Sequence, residues 1–275
     1  MTIEQVLAEA GVSGLERLDA QVLLLHALGR DAGDRAWLLA HDTDALQRES
    51  HDRFIALCQR RAAGEPVAYI LGRKEFFGLS LAVDARVLVP RPDTEILVEW
   101  ALELLPVAAA ARVIDLGTGS GAIALAIKHS RPLALVEATD ASDDALEVAR
   151  ANARALALDV AFRRASWLDD ATGGFDLVVS NPPYVAQADP HLRALAHEPR
   201  RALASGPDGL DDLALIVAQA PRCLRPGGWL LLEHGFDQGP AVRALLAGAG
   251  FGEVATRRDL AGHERCSGGK MLELG

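Results

Sequence analysis

Val113-Ile-Asp-Leu-Gly-Thr-Gly-Ser-Gly-Ala122 decides how this chain folds. A short apolar strand runs into three glycines at alternate positions, and a helical stretch, Ile123–Lys128, follows at once. A strand that turns through glycines into a helix is the opening unit of an open α/β sheet. Gly117, Gly119 and Gly121 let the backbone approach a ligand closely, and the free N–H groups at the helix start favour polar or anionic groups. Further strands are expected at Leu133–Thr139, Val160–Arg163, Asp176–Ser180, Trp229–Glu233, Val254–Arg257 and Met271–Leu274, with helices such as Asp143–Ala155 and Leu213–Cys223 between most of them. Near-continuous apolar strands in that alternation predict a mostly parallel sheet covered on both faces. Only Asp259–Gly269 separates the last two, too little for a helical crossover, so the sheet is expected to end in an antiparallel hairpin.

Upstream of the glycines the period changes. Residues 1–72 read as a small helical domain, a scaffold or a partner-recognition surface: Thr2 and Gln5 form a capping box, and a long segment Asp44–Ala63 turns Leu46, Phe54, Leu57 and Cys58 inward. Residues 73–90 approach strand alternation (Phe76, Phe77, Leu79, Leu81, Val83, then Val87–Val89 after a turn near Asp84) and predict a linking β-hairpin. Residues 91–275 form the third part; the motif Pro90-Arg-Pro-Asp-Thr-Glu95 spans its start and either closes over a site or caps the helix beginning at Ile96.

The chain carries 28 basic and 38 acidic residues, a formal charge of −10, and half of it is apolar. No segment is a basic module that would grip a phosphate backbone, so stable nucleic-acid binding is not expected. No apolar run is clean enough to span a membrane, and no secretory pattern opens the chain. Cys58, Cys223 and Cys266 are odd in number and far apart, which fits reduced thiols in the cytoplasm. The eight histidines show no metal-ligand spacing, so no metal is expected.

Two corners carry chemistry. Asp140 closes the strand after the glycines, where a carboxylate accepts both hydroxyls of an adenosine ribose; the alternative is a cap on the helix near Ser142. Trp167 is either a wall for an adenine ring or ordinary packing. The second corner is Phe175-Asp-Leu-Val-Val-Ser-Asn-Pro-Pro-Tyr-Val185, an apolar strand that ends in Asn181-Pro182-Pro183-Tyr184. Neither proline donates an N–H, so the Pro182 carbonyl is left to face a substrate. With the Asn181 side-chain oxygen and the flat Tyr184 ring it suits a planar –NH₂ whose two hydrogens need acceptors. Such a nitrogen is a poor nucleophile, and holding both hydrogens aims its lone pair at an electrophile. His234 beside Glu233 reads as a satisfied core histidine rather than a base.

Asp115–Gly121, Asp140 and Asn181–Tyr184 resemble the class I (Rossmann-like) S-adenosylmethionine-dependent methyltransferases that modify planar nitrogens. The resemblance narrows with Phe76-Phe-Gly78, Pro90–Glu95, Glu198-Pro-Arg-Arg-Ala-Leu203, Gly209-Leu210, Leu232-Glu-His-Gly235 and Arg258-Asp-Leu-Ala-Gly-His-Glu-Arg265. Together these are similar to the PrmC/HemK family over essentially the whole chain. That resemblance implies methyl transfer from S-adenosyl-L-methionine, with S-adenosyl-L-homocysteine as product, to N5 of the glutamine in the Gly-Gly-Gln motif of class I peptide chain release factors. It implies cofactor contacts from Gly117, Thr118, Gly119, Ser120, Gly121, Asp140, Trp167 and Asn181. The glutamine would be held by Asn181, Pro182, Pro183 and Tyr184, with Asn181, Pro182 and Tyr184 the catalytic set. Two other readings stay open on the motifs alone: an exocyclic-amine methyltransferase acting on DNA or RNA bases, and a nicotinamide oxidoreductase using Gly117–Ala122. The Arg60-Arg61 and Arg200-Arg201 pairs are candidates for partner contact.

Overall fold

A computed structural model describes residues 1–272, which divide into two compact units, Met1–Arg73 and the chain from Lys74 onward. The first is all-helical: α1 (Ile3–Val12), α2 (Arg17–Ala27), α3 (Arg35–Ala40), α4 (Arg48–Ala62) and α5 (Val67–Leu71). The expected capping box is present, with Gln5 N donating to Thr2 Oγ1 at 3.3 Å and Thr2 N to Gln5 Oε1 at 2.9 Å. Ile3, Val6, Leu23, Leu24, Leu25, Phe54 and Leu57 form the core, while Leu46 and Cys58 pack at its margin. Arg60 makes a forked pair with Glu65 and Arg61 bonds Asp19 at 2.7 Å, so both guanidiniums already serve this unit's own fold.

The second unit opens with a two-stranded hairpin, β1 (Arg73–Phe76) and β2 (Leu79–Ala82). Its return strand is not Val87–Val89, as the apolar alternation there predicts. Phe77 and Gly78 both take positive φ (50° and 77°), the mark of a two-residue turn matched to strand twist, and this closes the hairpin early. The Val89 N–H goes instead to a carboxylate oxygen of Glu198 at 3.0 Å, so Val87 and Val89 are buried without joining a sheet.

A short 3₁₀ turn, Pro92–Thr94, leads into α6 (Glu95–Leu104). Then come β3 (Arg112–Leu116), α7 (Ala122–Ser130), β4 (Leu135–Asp140), α8 (Asp143–Ala155), β5 (Ala161–Arg164) and β6 (Phe175–Ser180). The chain continues through α9 (Asp211–Gln219), β7 (Leu224–Glu233), α10 (Gly239–Gly248), β8 (Phe251–Arg258) and β9 (Glu264–Met271). Seven strands form one sheet in the order β5-β4-β3-β6-β7-β9-β8. The pairs β4–β5, β3–β4, β3–β6 and β6–β7 are parallel, and β9 pairs antiparallel with both β7 and β8. One core packs α6 and α7 against one face of the sheet, and the other packs α9 and α10 against the opposite face. Chain progression reverses between β3 and β6, so their carboxyl ends flank the crevice where open α/β sheets bind ligands.

The antiparallel ending is as expected, but its last strand is not. It runs Glu264–Met271, not Met271–Leu274, and Glu273 and Leu274 lie outside the described residues. Gly268-Gly269 read as loop because glycine weakens strands. Here crowding requires it: a Cβ on Gly268 would stand 2.4 Å from Leu231 Cδ2 and 3.0 Å from Trp100, and one on Gly269 would stand 2.8 Å from Phe251. The hairpin loop is accordingly only 259–263. Among the described residues, no helix is long and apolar enough to cross a membrane.

Candidate active site

The glycine loop leaves β3 with φ of +67° at Gly117, +55° at Gly119 and +85° at Gly121. A Cβ at Gly117 would come within 3.2 Å of the Trp167 ring. Beneath the loop lies Asp115, fully buried, with Oδ2 accepting from the Thr118 hydroxyl at 2.6 Å and from Ala124 N at 3.2 Å. Its Oδ1 has no hydrogen-bond partner among the described residues. Burial pushes this carboxyl up to about 7, against the opposing pull of the Thr118 and Ala124 hydrogen bonds.

A cavity of about 270 Å³ opens beside the loop. Gly117, Gly119, Asp140, Trp167, Asn181 and Pro183 all line it, whereas Pro182 is buried and neither it nor Tyr184 is part of the lining. Thr118, Ser120 and Gly121 stand behind the wall. Thr118 faces Asp115, and Ser120 is buried with its carbonyl bonded by Asn152 Nδ2 at 2.9 Å. Asp140 accepts from Gly119 N at 3.0 Å and from Ser142 N at 2.9 Å. The N-cap of α8 is Ser142, whose Oγ accepts from Ala145 N, so Asp140 is not the helix cap. Trp167 sits at φ +50° with its ring over Gly117 and its indole N–H on Asp212 Oδ1 at 3.1 Å.

At the end of β6, Asn181 donates through Nδ2 to Thr94 Oγ1 at 3.1 Å, which leaves Oδ1 as an open acceptor. No donor among the described residues is bonded to the Pro182 carbonyl. The Tyr184 hydroxyl donates to Glu233 Oε1 at 3.2 Å, and Gln238 Nε2 holds the Tyr184 carbonyl at 3.1 Å. Burial and the Glu233 charge raise the Tyr184 phenol far above its ordinary value, so it stays neutral. His234 is buried with Nδ1 donating to the Gly235 carbonyl and Nε2 accepting from Ser267 Oγ, each at 2.8 Å. Burial lowers its affinity for a proton, as suits a core histidine.

Several motif residues without an expected role prove to be braces. Pro90–Glu95 is tied down on every side: Arg91 to Glu198, Asp93 to Arg265 at 3.4 Å, Thr94 to Asn181, and Glu95 Oε1 to Phe77 N at 3.0 Å. It neither hangs over the cavity as a lid nor serves α6 alone. Glu198–Leu203 brings Pro199, Arg201 and Ala202 to the cavity wall, and Arg201 bonds Ser142 Oγ. Arg258–Arg265 forms its own turn on Asp259, which accepts from Ala261 N, His263 N and the Arg265 guanidinium. Asn152 carried no signal in the sequence, yet its amide joins Ala82 N (2.7 Å), Ala82 O (3.0 Å) and Ser120 O (2.9 Å).

A glycine turn after β3, a carboxylate at the end of β4 and the open Asn181 acceptor at the end of β6 meet at one switch point, the layout of a class I methyltransferase. The methyltransferase small domain model matches residues 94–210, and the PrmC N-terminal domain model matches residues 2–72. A release factor glutamine methyltransferase of Xylella fastidiosa is 52% identical over 268 residues, covering 96% of each chain. The enzyme of that name from Bordetella pertussis is 52% identical over 262 residues, covering 94% of this chain and 96% of its own. The chain therefore belongs to the release factor glutamine methyltransferase family. The fold is shared with a methyltransferase from Pyrococcus furiosus at 18% identity and a TM-score of 0.57, covering 78% of this chain and 98% of that one.

Proposed function

We propose that this enzyme methylates N5 of the glutamine in the Gly-Gly-Gln motif of class I peptide chain release factors, in the cytoplasm, with S-adenosyl-L-methionine as methyl donor. Family membership supports the glutamine, and the open acceptor Asn181 Oδ1 in the cavity of the glycine loop, next in sequence to the unbonded Pro182 carbonyl, is the observation that carries the chemistry. The cavity fits the cofactor: Gly117 and Gly119 present bare backbone, Asp140 presents a carboxylate, and the Trp167 ring forms a wall. When bound, the cofactor supplies an electrophilic methyl group on a positively charged sulfur.

The chain's own residues hold the nucleophile. Asn181 Oδ1 and the Pro182 carbonyl accept the two amide hydrogens, which draws the nitrogen lone pair out of conjugation and fixes its direction. Pro183 shapes the entrance, and the Tyr184 ring supplies a flat apolar side. No base is needed before attack, because the nitrogen becomes acidic only after alkylation. The test is incubation with methyl-labelled S-adenosylmethionine and release factor, duplex DNA or RNA. Label is expected on the release factor, and it should vanish when the motif Gln is replaced by Glu. Label on nucleic acid alone would overturn the assignment.

A further inference from the structure

Glu233 is a buried carboxyl that holding the amide does not by itself require. It ends β7 at 1% exposure, and its Oε2 has no hydrogen-bond partner among the described residues. Three distant segments meet on it. Tyr184, from the acceptor loop, donates its hydroxyl to Oε1. Thr94, from the turn before α6, sets its hydroxyl beside the carboxyl, and burial pushes Glu233 up to about 7 against the opposing pull of Thr94, Arg265 and Tyr184. Arg265, from β9, places positive charge nearby, itself held by Asp259 at 3.0 Å and Asp93 at 3.4 Å. Asp93 adds a like charge, and the buried Cys266, opposite Glu233 in the β7–β9 register, is held as a neutral thiol.

Tyr184 therefore reaches this carboxyl by a hydrogen bond, and Asn181 reaches the Thr94 hydroxyl that stands beside it. The direction of these hydrogen bonds matters. An Asn amide can turn over at little cost, exchanging its oxygen for its NH₂. A threonine hydroxyl can donate or accept, so alone it would tolerate either face of that amide. The unpartnered Oε2 of Glu233 is the acceptor on offer to the Thr94 hydroxyl hydrogen, and a hydroxyl turned toward it leaves Oγ1 to accept. Asn181 must then present Nδ2 inward and Oδ1 toward the incoming amide, the orientation the structure holds.

We propose that Glu233 and Thr94 are positioning residues that set which face of the Asn181 amide, and which tilt of the Tyr184 ring, meets the methyl-accepting nitrogen. This rests on the methyltransferase assignment above. Thr94→Val keeps the shape and removes the acceptor, so kcat is expected to fall roughly 10- to 100-fold, the scale of a misoriented clamp. Cofactor affinity should fall far less than kcat, because the glycine loop and Asp140 are untouched and only the Asn181 amide is reoriented, and Thr94→Ser should restore most of kcat. Glu233→Gln should slow turnover similarly, and the double variant Thr94→Val/Glu233→Gln should be no slower than the worse single variant, since both act through one orientation.

Parental turnover in the same assay reports on the assignment itself, and the ratio of variant to parent reports on the positioning. A readout independent of turnover is proton exchange at Asn181 Nδ2 by NMR, expected slow in the parent and the Ser variant and fast in Thr94→Val. Parental turnover in Thr94→Val, no rescue by Ser, or equal exchange in all three proteins would overturn the proposal. So would kcat and cofactor binding falling together with the folded fraction.

Discussion

A single methyl group added at Gly209 should disable turnover without touching the cavity. Gly209 is buried at φ +79°, and a Cβ built there lies 2.0 Å from the Tyr184 carbonyl oxygen, 2.8 Å from its carbon and 2.7 Å from Gln238 Nε2. Gln238 Nε2 is the group that holds that carbonyl, bridging it to the Asp208 carbonyl at 3.1 Å on each side. An ordinary carbon–oxygen contact is about 3.3 Å, so the acceptor loop must retreat by roughly 1 Å or the turn must unwind. A side chain at this φ costs about 1–2 kcal/mol, and forced overpacking about 1–3 kcal/mol more. For a unit of this size that sum corresponds to a fall of roughly 5–15 °C in thermal midpoint. A displacement of about 1 Å at a reacting group costs on the order of 100-fold in rate. Gly209→Ala should therefore remain folded at 25 °C, bind S-adenosylmethionine with near-parental affinity by calorimetry, and methylate release factor about 100-fold more slowly. Parental kcat together with an unchanged thermal midpoint would refute the reasoning, because it would show that the loop does not feel the clash.

Three further outcomes follow from particular residues. Asn181→Ala removes one of the two open acceptors, so turnover should fall by about 100-fold or more while cofactor binding falls far less; unchanged turnover would take Asn181 out of the mechanism. Asn152→Ala orphans three backbone groups and should lower stability by about 2–4 kcal/mol in denaturant titration, where a loss below about 0.5 kcal/mol would deny the brace. Asp115 titrates at about 7 in the fold against an ordinary 3.8, so the folded chain keeps a proton that the unfolded chain has released. Stability is then lost as pH rises between those two values and stays lost above them, and Asp115→Asn abolishes that dependence. The thermal midpoint of Asp115→Asn relative to the parent should rise from about pH 5 to about pH 8, and a pH-independent difference would dismiss the linkage.

The fold was legible because its signals are local. A strand into glycines, helices at regular spacing and a connection too short to cross over each lie within a few residues of sequence. The antiparallel ending followed from loop length alone, whereas the extent of β9 did not. Glycine propensity argues against a strand at Gly268-Gly269, and only the ring of Trp100 and the side chains of Leu231 and Phe251 show why nothing larger fits. Val87–Val89 misled for the opposite reason: good strand residues were drawn away by the Glu198 carboxylate, more than a hundred residues on.

The same division holds at the site. Asn181 could be placed at the cavity because strand ends are written in sequence, and Asp140 because its distance from the glycines is informative, whereas Pro182 is buried outside the lining. Thr118 and Ser120 lie inside the motif, but side-chain direction is not local information, and both prove to face inward. Thr94, Asn152 and Glu233 act across tertiary distances, and on their own elements they resemble a turn threonine, a helix-face asparagine and a strand-end acid. The Pro90–Glu95 and Arg258–Arg265 motifs were visible as motifs, but only their ion pairs explain them.

The strand order carries a consequence for how the enzyme is made. β8 borders no strand except β9, and β9 is threaded between β7 and β8. In folding, residues 251–258 have no partner in the sheet until residues 264–271 insert beside β7. The same late segment brings Arg265 to Asp93 and to the surroundings of Glu233. The tie between Arg265 and Asp93 and the pairing of β8 therefore depend together on one strand taking its place in the sheet.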